Sequence, residues 1–111
     1  MEIYSLYARP LAVTQIKEHI PKVEVIQNCT SWSNYDNLGE YSNDKKILSK
    51  FPELQKVITE KVQEYNDHVM TYTDNEVQLI SSWATKYQPG YQGNLHNHDN
   101  TMYSVVFYPV S

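Results

Sequence analysis

Apolar and polar positions change their period several times along this chain, and each change predicts an element. Glu2 to Ala8 alternates, with Ile3 and Leu6 set among tyrosines, and Leu11 to Ile16 resumes in the same β-rich style. Arg9-Pro10 interrupts between them, so the pattern predicts two short strands around a break. Val23 to Ile26 predicts a third short strand. From Asn28 to Asp44 the residues turn to Ser, Asn, Asp, Gly and Tyr without periodicity, which predicts a long irregular loop over 28–44.

The period then becomes helical. Leu54, Val57, Ile58, Val62, Tyr65 and Val69 recur at three- and four-residue steps and form one apolar stripe. Pro52 suits a first helical position, where its missing N–H costs nothing, and Glu53 complements the positive end of the helix dipole. This predicts a helix from Pro52 to between Val69 and Thr71, packed on a sheet, with a short preceding turn at Lys45 to Leu48. His68 falls on this helix as a plain surface residue.

After Thr73-Asp74-Asn75 the period drops to 2. If Glu76 to Gln88 is extended, Val77, Leu79, Trp83 and Tyr87 share one face, and Gln78, Ile80, Ser82, Ala84 and Lys86 share the other. Pro89-Gly90 signals a turn. Tyr91 to His98 and Met102 to Val110 follow, separated by polar Asp99-Asn100-Thr101. The second of these segments is β-branched and aromatic, and predicts a buried strand. There is no internal repeat and no low-complexity tract.

Composition narrows the function classes. The chain has 111 residues, which predicts a single domain with a modest core. A net charge of −4 without a Lys/Arg cluster argues against a nucleic-acid surface. One cysteine, Cys29, excludes an intrachain disulfide and a cysteine-based zinc cluster. No window approaches the roughly 18 apolar residues of a membrane span, and the N-terminus has no signal-peptide pattern. A soluble cytoplasmic or virion-associated protein is the expectation. Ten tyrosines against two phenylalanines suit half-wet sheet faces and polar pockets.

The candidate chemistry lies at His96-Asn97-His98. On a strand these two imidazoles point the same way, about 6.6 Å apart along the chain. At that spacing both can reach one metal ion at about 2.1 Å, with a third ligand from elsewhere. Imidazole alone does not choose among iron, zinc, copper and nickel. Asp99 is a further candidate, although a regular strand turns it to the opposite side unless a bulge intervenes.

The order Ser82-Trp83, Tyr87-Gln88-Pro89-Gly90, His96-Asn97-His98 and Tyr103-Ser104-Val105-Val106-Phe107-Tyr108 resembles a group of small Fe(II)/2-oxoglutarate-dependent oxygenases common in marine bacteria and phages. The resemblance runs from about Ser42 to Tyr108. It implies an α+β fold, a partial double-stranded β-helix (jelly-roll or cupin-like) with the amphipathic helix packed on its sheet. It implies His96 as the first iron ligand and His98, ahead of Asp99, as the second. It also implies Fe(II) and 2-oxoglutarate as cofactors, with Tyr87, Tyr91 and Tyr103 lining the pocket; all three tyrosines read equally well as ordinary sheet aromatics.

Members of the group take a distal His and a cosubstrate-binding Arg or Lys from later strands. The chain therefore corresponds to the N-terminal half of such a barrel, expected to be inactive by itself. Its unpaired sheet edges predict a homodimer. A cupin-like metal protein is an alternative, since Gly90 to His98 matches the start of a cupin motif whose Glu does not follow. A non-catalytic β-rich interaction or virion protein is the other.

Overall fold

The computed structural model describes residues 1–6, 9–34, 39–89 and 101–109. The fold is mixed α+β, with a two-stranded and a three-stranded antiparallel sheet. It divides into two compact units, one of 1–20 with 53–79 and one of 21–52 with 80–111. Among the described residues no helix is long and apolar enough to cross a membrane.

In the first unit, strands β1 (Glu2–Leu6) and β2 (Arg9–Val13) pair antiparallel, with Tyr4 opposite Leu11 and Ser5 opposite Pro10. Arg9-Pro10 was expected to separate two strands. It instead opens β2, a place proline can take because a two-stranded ribbon leaves one side of each strand outside the ladder. The helix α2 (Pro52–Glu64) forms as its apolar stripe predicts, burying Leu54 and Ile58. It continues as a wider π-type turn over Tyr65–Val69, so the helical path ends where the sequence placed it. The Tyr65 hydroxyl donates to the Pro10 carbonyl at 2.8 Å and ties the hairpin to the helix.

The end of that helix is held by amides. Thr71 takes a left-handed conformation (φ 58°) and reverses the chain. Asn66, fully buried, donates to the Tyr72 carbonyl at 2.8 Å and accepts from the Asn75 side chain at 3.0 Å. Gln63 donates to the Asn75 carbonyl at 2.8 Å and accepts the Val77 N–H at 2.9 Å. These bonds satisfy carbonyls and N–H groups that a helix terminus and a reversing chain otherwise leave unmet.

The second unit corrects three sequence expectations. Val23 to Ile26 is not a strand but part of a short helix, α1 (Val23–Asn28). A four-residue run with three apolar positions does not distinguish strand from helix. Here Pro21 and the Lys22 carbonyl, which accepts from Val25 at 3.0 Å, start a turn.

The segment 28–44 is not a plain loop. It carries β3 (Trp32–Asn34) and β4 (Gly39–Ser42), paired antiparallel. Polar bonds knit its base: Ser33 donates to Asn43 at 2.6 Å, Asn43 to Ser31 at 2.8 Å, and the Asp44 N–H to Thr30 at 3.1 Å. A hairpin secured by side-chain amides and hydroxyls shows no hydrophobic alternation.

From Glu76 to Gln88 the chain is laddered only at β5 (Thr85–Tyr87), which adds to β4, and at one parallel bridge between Lys46 and Ser82. The period of 2 survives there, with Ser82, Ala84 and Lys86 half-buried and Trp83, Thr85 and Tyr87 exposed. Finally, the strand expected at Met102 to Val110 is not formed among the described residues, and Val105, Val106 and Tyr108 are exposed rather than buried. Strand propensity yields a strand only where a partner supplies the ladder. The short helical turn expected near Lys45 is a 3-10 turn at Ile47–Lys50, which buries Ile47.

Candidate metal hairpin and its platform

The segment leading into the histidine pair is built on the sheet β3-β4-β5. Register places Tyr41 opposite Thr85 and Gly39 opposite Tyr87, so Tyr41 and Tyr87 share one face. Glu40 lies opposite Lys86 on the other face.

Ser42 joins this sheet to the Ser82-Trp83 segment. It is fully buried, and its hydroxyl accepts the Ala84 N–H at 2.9 Å while donating to the Asp44 carbonyl at 2.9 Å. Its own N–H donates to the Ala84 carbonyl at 2.8 Å. Ser82 makes a second clamp. Its N–H donates to the Lys45 carbonyl at 2.9 Å, and its hydroxyl accepts the Leu48 N–H at 3.0 Å. These four bonds, with a fifth from the Ile47 N–H to the Ser82 carbonyl at 3.2 Å, fix the segment that carries Trp83 and Tyr87 against residues 42–48.

Charges sit over the aromatic rings of this sheet. The Lys45 ammonium lies 4.3 Å from the centre of the Tyr41 ring and 5.8 Å from that of Trp83, and donates to the Ser42 carbonyl at 3.0 Å. On the other face Lys86 lies 4.1 Å above Trp32 and 3.5 Å from Glu40. Each cation over a ring contributes about 0.5–1 kcal/mol at an exposed site.

Asp44 accepts from the Lys46 N–H at 2.8 Å and pairs with Lys50 at 3.0 Å. The Lys46 N–H, then Lys50, hold its carboxyl below the ordinary value of 3.8. Lys50 also donates to the Cys29 carbonyl, closing the base of the β3-β4 hairpin.

Of the six residues singled out from the sequence, two lie among the described ones. Tyr87 ends β5 and is exposed, opposite buried Gly39, and Tyr103 is half-buried. Tyr91, His96, His98 and Asp99 fall outside the described residues. Among the described residues no three His, Cys, Asp or Glu side chains gather to hold a metal ion. His19 is engaged with Glu53, 2.9 Å from Nδ1, and His68 is exposed as expected.

Sequence reasoning passed over Ser42, Lys45 and Asn66, the residues with the densest interactions. Ser42 and Lys45 stand in or beside the polar tract of 28–44, where composition signals only a loop. Asn66 had a usable signal, since a polar residue one step behind Tyr65 falls beside the apolar stripe. No family model, curated protein or solved structure matches this chain.

Proposed function

We propose that Gly90 to Tyr108 forms the ligand hairpin of an Fe(II)/2-oxoglutarate-dependent oxygenase-type jelly-roll, with His96 and His98 as two ligands of the iron. The observation that carries this reading is the order and spacing of Ser82-Trp83, Pro89-Gly90, His96-Asn97-His98 and the aromatic run Tyr103 to Tyr108. An antiparallel sheet that ends in β5 just before Pro89-Gly90, with its strand clamped at Ser42 and Ser82, supports it. Such clamping suits a metal hairpin because ligands must be held by a rigid base to converge on one ion.

Two imidazoles fit two positions of an iron site that leaves others open for cosubstrate and oxygen. Among the described residues no three His, Cys, Asp or Glu side chains gather to hold a metal ion, and no reaction step is assigned to this chain. When bound, the iron would supply oxygen activation coupled to 2-oxoglutarate decarboxylation. The role of Tyr87, Tyr91 and Tyr103 would be to line the pocket and limit water around it.

The test is metal content after anaerobic Fe(II) loading and desalting, for the native chain and for His96→Ala. Iron retained by the native chain and lost by the variant supports the proposal. Equal retention by both, or none by either, rejects it.

A further inference from the structure

Ser104 to Tyr108 is a described segment whose chemistry and surroundings disagree. Tyr103, Val105 and Phe107 alternate with Ser104, Val106 and Tyr108, so both faces carry apolar side chains, the pattern of a strand covered on two sides. Yet Val105 is 52%, Val106 72% and Tyr108 76% exposed. No bend or turn interrupts Tyr103 to Tyr108. Among the described residues, Ser104 to Tyr108 form no backbone hydrogen bond. An uncovered run of β-branched and aromatic residues with its backbone groups open is a template for strand addition.

Chemistry selects the partner strand. The segment carries no charge from Thr101 to Pro109. Four of the other strands each carry a charge, Glu2 in β1, Arg9 in β2, Glu40 in β4 and Lys86 in β5, and β3 is Trp-Ser-Asn. Set against any of these, one face of an apolar strand would bury a charged or amide side chain without a partner. The strand that matches it in length, neutrality and apolar content on both faces is its own copy. Two copies laid antiparallel are related by a two-fold axis and pair the same residues reciprocally, which closes the assembly at two chains. Pro109 donates no N–H and limits the ladder at that end.

We infer that this protein forms a homodimer in which Ser104 to Tyr108 of the two protomers pair as antiparallel strands. The inference rests on exposure and strand chemistry, and stands whether or not the histidine pair binds iron.

The test is the mass of the 111-residue chain by sedimentation and light scattering across a dilution series. Alongside it, amide exchange at Ser104 to Tyr108 is followed at both ends of the series. A mass of twice 13.0 kDa is expected, giving way to monomer on dilution, with exchange at these amides slowed only in the dimer. Val106→Lys, a change on an exposed side chain, should raise the dimer dissociation constant at least about tenfold. A monomer at concentrations on the order of 10 μM and above overturns the inference. So does a dimer whose amides here exchange at the same rate as in the monomer, or an assembly that grows without limit.

Discussion

The Ser42 hydroxyl takes the backbone N–H of Ala84 at 2.9 Å, across 42 residues of chain, with no water-exposed surface on Ser42 at all. One hydroxyl thus serves as the ladder partner where β4 and the Ser82-Trp83 segment leave regular pairing. Ser42→Ala would strand that N–H, and the Asp44 carbonyl would lose its donor. The expected loss is about 1–3 kcal/mol of unfolding free energy, the cost of an unmet buried polar group. Urea denaturation of both chains measures it, and a loss near zero would show that another group or water replaces the hydroxyl.

Thr71 is a β-branched residue at φ 58°, a conformation in which its Cβ crowds the backbone. Thr71→Gly should remove that crowding and stabilise the first unit by about 1 kcal/mol, less the bond from the Thr71 hydroxyl to the Met70 carbonyl at 2.7 Å. Thermal unfolding would register this as a raised midpoint. A lowered midpoint would mean that the hydroxyl matters more than the backbone strain.

Acid should act through Asp44 and Asp67. Both carboxyls lie below the ordinary 3.8, Asp44 chiefly through the Lys46 N–H and Asp67 chiefly through the Gln63 side chain and then Asn66. A folded value below the unfolded one means the folded state binds the proton less readily. The stabilisation is therefore complete above the unfolded value and fades as pH falls through the folded value. Stability should decline on acidification from about pH 5 downward. The double variant Asp44→Asn, Asp67→Asn should be less stable at neutral pH and show a flatter acid limb. Thermal midpoints recorded against pH for both proteins test this, and parallel curves would exclude these two groups.

The choice between His98 and Asp99 as second ligand gives a separate expectation, dependent on the proposed iron site. If residues 96–99 form a regular strand, alternation would put His98 on the side of His96 and Asp99 on the other. Iron retention after anaerobic loading should fall in His98→Ala and persist in Asp99→Asn. The reverse result would place a bulge at this point and make the carboxylate the ligand.

Two parts of the fold are legible in the sequence. The stripe from Leu54 to Val69 predicted a helix over the span where α2 and its π-type turn stand, and the alternation at Ser82 to Tyr87 is the observed one. Both are local patterns, set by side-chain direction within one segment. The candidate site was legible only as motifs. Tyr87 was placed correctly on the face of Trp83, but the clamp beneath it, Ser42 and Ser82, was hidden because serine has no periodic signature and its partners lie 42 and 34 residues away.

Elsewhere local signals misled for the same reason. Val23 to Ile26 has strand-forming residues but pairs with no strand among the described residues, and the turn after Pro21 makes it helical. Ser31 to Ser42 has loop composition but pairs as a hairpin, because hydroxyl and amide groups bond across it. The sequence by itself determined the helical path from Pro52 to Val69, the alternation from Ser82 to Tyr87, and that His96 and His98 are two residues apart. Tertiary structure alone decided which extended segments found a ladder. Strand pairing is a property of two distant segments, and for Ser104 to Tyr108 the described chain offers no second one.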